Sequence, residues 1–67
     1  MLNRIRIVLA EKNTRIKTLA EAIGANPVTV SKWCNNKAQP SMGYLYKIAQ
    51  FLNVTMETLV QPETDNE

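Results

Sequence analysis

Residues 26–36 read NPVTVSKWCNN. Asn26 can accept a hydrogen bond from the free amides of a first helical turn. Pro27 fixes φ near the helical value and lacks only an amide that would go unused at that position. Asn35 and Asn36 tolerate the left-handed conformation that ends a helix. Between these signals lies a short helix that mixes Val28, Val30 and Trp33 with Thr29 and Ser31 and carries a single charge, Lys32. A 67-residue chain buries only roughly 60% of its unfolded surface, so a helix this short must be braced from one side. The question is what its other side meets.

Upstream, IKTLAEAI at 16–23 predicts a helix stopped by Gly24 as a left-handed cap. Its start is poorly marked: within the connector NTR at 13–15, Asn13 or Thr14 can cap and Arg15 cannot. Only Gly24, Ala25 and Asn26 join the two helices. So short a link with a glycine makes them cross steeply, as a helix-turn-helix over about 16–35. Close crossing needs a small side chain; Ala20 supplies it against Val30, with Leu19 and Ile23 flanking. At about 100° per residue, with Val30 inward, Cys34 falls about 40° to one side and Trp33 about 60° to the other. Val28 and Lys32 then point outward, Thr29 and Ser31 flank them, and Asn35 lies near them at the C-terminal end.

This outer face bears methyls, hydroxyls and one cation, a set suited to a DNA major groove. Valine and the threonine methyl can meet a thymine methyl, lysine can donate to guanine O6 and N7, and serine can serve either way. A heavily charged face would hold phosphate without reading sequence. The competing readings are that Val28 is a core residue, that Lys32 is a solvated lysine or a phosphate contact, and that Trp33 stacks on a nucleotide. Val30 already fills the inward slot, and Trp33 is read as core.

The rest of the chain completes a helical bundle. LNRIRIVLAEK at 2–12 predicts a first helix with Leu2, Ile5, Val8 and Leu9 inward and Ile7 off that stripe. KAQP at 37–40 is a loop. Ser41 caps MGYLYKIAQFL, whose inner stripe is Leu45, Ile48, Ala49 and Leu52. Gly43 costs that helix about 1 kcal/mol against alanine and leaves room for a close approach. Asn53-Val54 is a tight link, Thr55 caps a fifth helix METLV at 56–60, and Pro62 ends it. The expected fold is all-α, five short helices around one core with no strands or repeats. The domain is 1–60, and QPETDNE at 61–67 is an acidic disordered tail.

Composition narrows the function. Cys34 is the only cysteine and there is no histidine, so the chain has no internal disulfide and no zinc set. The N-terminal apolar stretch is too short and too interrupted for a signal peptide, and no apolar run reaches the ~20 residues of a membrane span. A cytoplasmic protein is expected, without cofactor, metal or small-molecule substrate. Net charge is +2; Glu63, Asp65 and Glu67 hold half of the six acidic residues, so the body before them carries eight basic against three acidic residues. A basic body fits a polyanion. An enzyme is disfavoured: there is no histidine, paired-carboxylate motif, glycine-rich phosphate loop or serine elbow, and Glu11, Glu21 and Glu57 look like exposed helix residues.

Taken together, LAEAIGANPVTVSKWCNNKAQPS, LYKIAQFLNV and METLV resemble the Cro and repressor type helix-turn-helix, the xenobiotic response element class of bacterial and phage regulators. The resemblance covers about residues 2–60. It implies a lambda-repressor-like five-helix domain, usually dimeric on an inverted-repeat operator. It further implies base contacts at Pro27, Val28 and Lys32 with Thr29 and Ser31 nearby. Phosphate contacts are implied at the start of the second helix and at Asn36, Lys37 and Gln39. Three positions depart from the family pattern. Ile16 stands where a phosphate-bonding glutamine is usual, with Lys17 or Arg15 as substitutes. Asn36 replaces the usual glycine. Leu9 and Cys34 replace a buried arginine–glutamate pair, an exchange that can be neutral or stabilising and that makes Cys34 a core residue rather than a reactive thiol.

The partner expected is double-stranded DNA, read by a transcriptional regulator, a repressor before an activator. A homodimer would set two reading helices about 34 Å apart, with Tyr46, Phe51, Met56 and Val60 as interface candidates. The rival reading is a protein-interaction or antitoxin-like module whose acidic tail binds a basic protein.

Overall fold

The structure, a computed structural model, describes residues 2–60; the tail expected at 61–67 lies outside the described residues. Four α-helices and one 3-10 turn follow in order: α1 Ile5–Glu11, α2 Ile16–Ile23, α3 Pro27–Cys34, α4 Met42–Leu52, and the turn Glu57–Leu59.

Local chemistry sets most of the boundaries. Asn26 Oδ1 accepts from the Val28 amide at 2.8 Å and opens α3 with Pro27 behind it. Ser41 Oγ accepts from the Tyr44 amide at 3.3 Å and opens α4. Gly24, at φ +72°, turns the chain after α2 while the Ala25 amide donates back to the Ala20 carbonyl at 2.9 Å. Asn13, Asn36 and Asn53 take the same left-handed region at φ +56°, +58° and +59°; asparagine is the side chain that enters it at least cost after glycine.

Every element contributes to one core. Ile5, Leu19, Ala20, Val30, Ile48 and Leu59 are completely buried. α2 packs against both α3 and α4, and α1 packs on α3. Trp33 is buried and leans on the Tyr44 ring at a centroid distance of 5.3 Å and a tilt of 48°. It is thus a core residue and not a free stacking platform.

Four expectations need correction. The first helix begins at Ile5, not Leu2, and Leu2 is 52% exposed. Asn3 instead forms an antiparallel bridge with Val60, and the Arg4 amide donates to the Leu59 carbonyl at 2.8 Å; pairing with the far end of the chain replaces a first helical turn. The fifth helix is a single 3-10 turn: Thr58, Leu59 and Val60 donate to the carbonyls three residues back. Thr55 Oγ1 does accept the Thr58 amide at 3.2 Å, but the bridge with Asn3 draws Val60 into an extended conformation and ends the winding. Neither Asn13 nor Thr14 caps α2, which carries no side-chain cap; Thr14 Oγ1 donates to the Lys12 carbonyl instead. Gly43 serves no close approach, since a Cβ there would meet only Ser41 Oγ, at 3.9 Å.

Asn3 is the buried polar residue of the described chain. Its Oδ1 accepts from the Ile5 amide at 3.0 Å, and its Nδ2 donates to the Trp33 carbonyl at 2.8 Å and to Gln39 Oε1 at 2.9 Å. Its backbone amide donates to Asn36 Oδ1 at 2.8 Å, and its carbonyl accepts from Asn36 Nδ2 at 3.3 Å. The N-terminal segment is therefore tied to the end of α3 by both side chain and backbone. Asn3→Ala should lower unfolding free energy by about 2 kcal/mol, the usual cost of stranding buried partners. Asn3→Asp should cost at least as much at neutral pH, because a carboxylate oxygen would face the Trp33 carbonyl. Urea unfolding of the two variants checks this; an Asp variant as stable as wild type would remove the donor role.

Leu9 and Cys34 are both buried in the core. Burial pushes the Cys34 thiol up in pKa, and the nearby Arg6 charge draws it partly back. The folded state therefore prefers the neutral thiol. Its contribution is intact below the ordinary thiol value and is lost as pH rises through the raised folded one. Unfolding free energy should fall as pH climbs past 9.0, and Cys34→Val should flatten that alkaline loss. Equal pH profiles for the two proteins would remove the thiol as its cause.

Candidate nucleic-acid interface

α3 is oriented by its inward residues. Val30, Trp33 and Cys34 are buried, so Pro27, Val28, Thr29, Lys32 and Asn35 face solvent, with Ser31 half-buried on the flank. Val28 is 65% exposed, in the first turn of a helix that is buried on its other side. Lys32 lies one turn further along on the same side. Alongside them is an open hollow of about 360 Å³, lined by Pro27, Val28, Ser31, Lys32, Asn35 and Lys37. The loop residue Lys37 thus joins the helix face, its backbone amide held on the Lys32 carbonyl at 2.9 Å. Thr29 is exposed but does not line the hollow.

The residues singled out for phosphate divide into two groups. Arg15, Lys17 and Lys37 have exposed side chains, and α2 begins without a side-chain cap, which leaves first-turn amides directed outward beside Arg15 and Lys17. Asn36 and Gln39 are engaged within the protein. Asn36 Oδ1 accepts from the Asn3 amide and from Gln39 Nε2, the latter at 3.1 Å, while Gln39 Oε1 accepts from Asn3 Nδ2. The left-handed turn at Asn36 accompanies this inward commitment. Their side chains shape the loop, with Gln39 exposed and Asn36 half-buried.

The interface candidates also divide. Tyr46 and Phe51 are exposed at 53% and 45%, but five residues apart on a helix they differ by about 140° in direction. Met56 and Val60 are half-buried against the core, and Val60 is paired with Asn3. Among the described residues no group of three or more His, Cys, Asp or Glu side chains could hold a metal ion, and no helix is long and apolar enough to cross a membrane.

Asn3 is the residue that sequence reasoning misses. A short polar side chain inside an apparent helix competes for backbone groups and favours turns, and that is the available signal.

A helix pair joined by a short glycine turn, packed together, with the second helix exposing a mixed apolar and polar face beside two lysines, is the arrangement of a DNA-reading helix-turn-helix. The Cro/C1-type HTH DNA-binding domain profile matches residues 4–65. The chain belongs to that family. Among solved structures it is similar to a Bacteroides fragilis protein inferred to bind DNA, at 48% identity and a TM-score of 0.87 over 90% of this chain and 97% of that one. It is similar to the SOS-response transcriptional repressor LexA of Eubacterium rectale, at 25% identity and a TM-score of 0.80 over 96% of this chain and 68% of that one. The N-terminal DNA-binding domain of the master biofilm regulator SinR of Bacillus subtilis matches at 29% identity and a TM-score of 0.70, covering 96% and 94% of the respective chains. No curated protein sequence is a significant match. The fold is thus that of the lambda-repressor-like helix-turn-helix proteins, with the last helix reduced to a 3-10 turn.

The orientation of α3 has a direct stability test. Val28→Ala should change unfolding free energy by no more than about 0.5 kcal/mol, whereas Val30→Ala should cost about 2 kcal/mol. Thermal or urea unfolding of the pair checks it, and comparable losses at both positions would reverse the assignment of faces.

Proposed function

We propose that the chain is a cytoplasmic, sequence-specific reader of double-stranded DNA that acts in transcription as a repressor, with α3 laid in the major groove. The observation that carries this reading is the exposure of Val28 on a helix whose opposite side is locked into the core. An apolar methyl pair held rigidly in water beside a lysine is matched by a base edge that offers a thymine methyl next to guanine acceptors.

In this reading Val28 and Thr29 meet methyl groups, Ser31 and Lys32 donate to base edges, and Pro27 sets the approach of the first turn. Lys17, Arg15 and the uncapped amides of α2 hold one phosphate stretch, and Lys37 holds another. Asn36 and Gln39 act indirectly, by fixing the loop that presents Lys37. The domain does no chemistry and needs no cofactor or small-molecule substrate. One module offers little contact area. A homodimer on an inverted repeat would double it, with Phe51, exposed near the C-terminal end of α4, as the apolar anchor for self-association. The likeness to a LexA described as a transcriptional repressor supports repression.

Selection of binding sites from random duplexes tests the whole reading, since it reports the motif and its symmetry together. Lys32→Ala should relax preference at one position of the selected site, with a loss of discrimination of about 1–3 kcal/mol. An unchanged motif at unchanged stringency would remove Lys32 from the reading face. Lys37→Ala should weaken binding evenly across sequences and reduce the slope of log K against log salt by about 0.9. Absence of retention on heparin or random duplex at low salt would instead favour a protein-interaction module.

A further inference from the structure

Arg4 and Arg6 take no part in the reading face, yet they stand at its edge. A groove of about 230 Å³ runs between the start of α1 and the end of α3, with Arg4 and Arg6 on one wall and Asn35 and Asn36 on the other. Its lining holds two cations and no carboxylate. Asn35 lines this groove and also the hollow beside Val28 and Lys32, so the two depressions adjoin at that residue.

We propose that the Arg4–Arg6 groove is a second phosphodiester site, which receives the DNA backbone where it leaves the reading face past Lys37 and Asn35. This rests on the DNA-reading function above and extends its footprint to the flank of α1. Three observations support it. The wall that carries the arginines is fixed before any ligand arrives: the Asn3 amide is held on Asn36 Oδ1 at 2.8 Å and the Arg4 amide on the Leu59 carbonyl at 2.8 Å. A preset wall spends little ordering entropy on binding. Second, Arg6 is exposed and lines the groove together with Cys34, so its charge is available there to a ligand from solvent. Third, the ligand chemistry fits: the guanidinium fork matches phosphate oxygens, and two such groups in a hollow without carboxylates favour a chain of phosphates over any neutral partner.

The test is a salt titration of binding to a short duplex, measured by fluorescence anisotropy on the selected site and on random sequence. It compares wild type, Arg4→Gln/Arg6→Gln and, as a reference, Lys37→Ala. Removing one phosphate-binding cation should flatten the slope of log K against log salt by about 0.9, so the double variant should flatten it by about 1.8. The change should be equal on both duplexes, because a backbone contact carries no sequence information. The single variant Arg6→Gln, at an exposed position, preserves the readout if the double variant does not fold, and it should flatten the slope by half as much. A wild-type slope in the arginine variants, alongside a reduced slope in Lys37→Ala, would overturn the groove while leaving the DNA reading intact. A change confined to the selected site would also overturn it, since it would make the arginines base readers. Failure of wild type to bind any duplex would bring down the DNA reading and this inference together.

Discussion

The contact between α2 and α3 sets the rest of the molecule. Each of these helices has eight residues, too few to persist alone in water, where nucleation is costly and short helices are marginal. They persist because they pack on one another and bury Ala20 and Val30 completely, after a turn that Gly24 makes in the left-handed region. A larger side chain at position 20 would push the helices apart and rotate α3. Once the crossing is fixed, helical periodicity leaves Val28 and Lys32 no direction but outward. The outward face of α3 is thus a by-product of packing: what the core takes from the helix determines what remains exposed.

The polar half of the stabilisation is gathered around Asn3. Among the described residues no buried side-chain nitrogen or oxygen lacks a hydrogen-bond partner, which in so small a body means that each internal amide is used. Leu9 and Cys34 are both apolar and buried. Two packed apolar groups avoid the desolvation cost of burying opposite charges. Fixing the angle between α1 and α3 then falls to the amides of Asn3, Asn36 and Gln39, which give direction without formal charge. Such bonds respond little to salt, so a rise in ionic strength leaves the orientation of α3 largely unaltered.

What can be read from the sequence follows the range of the interactions involved. The starts of α3 and α4 and the stop after α2 are set by contacts within a few residues, and Asn26, Pro27, Ser41 and Gly24 announce them. The inward stripe of α3 follows from periodicity alone. The start of α1 escapes such a reading because its partner lies at the far end of the chain: Leu2 continues a helical pattern of apolar residues, and nothing local says that Asn3 pairs with Val60. Asn36 and Gln39 escape it for the same reason, since their partner is 33 or more residues away and an asparagine or glutamine in a loop beside lysines looks solvent-directed. Tyr46 and Phe51 are exposed, and helical periodicity alone already sets their directions on α4 about 140° apart.

The bridge between Asn3 and Val60 brings the two ends of the folded body to a common point. A fold that enters and leaves at one place can be hung from a surface loop of another protein without stretching either, because the host need span only the gap between two bridged residues. The same adjacency permits rewiring: a short linker from 60 to 3, with the chain reopened at the exposed turn after α1, would reorder the sequence while keeping α2, its glycine and α3 contiguous. DNA recognition in this design is therefore a portable cassette, whose orientation toward any host is set by a single attachment point.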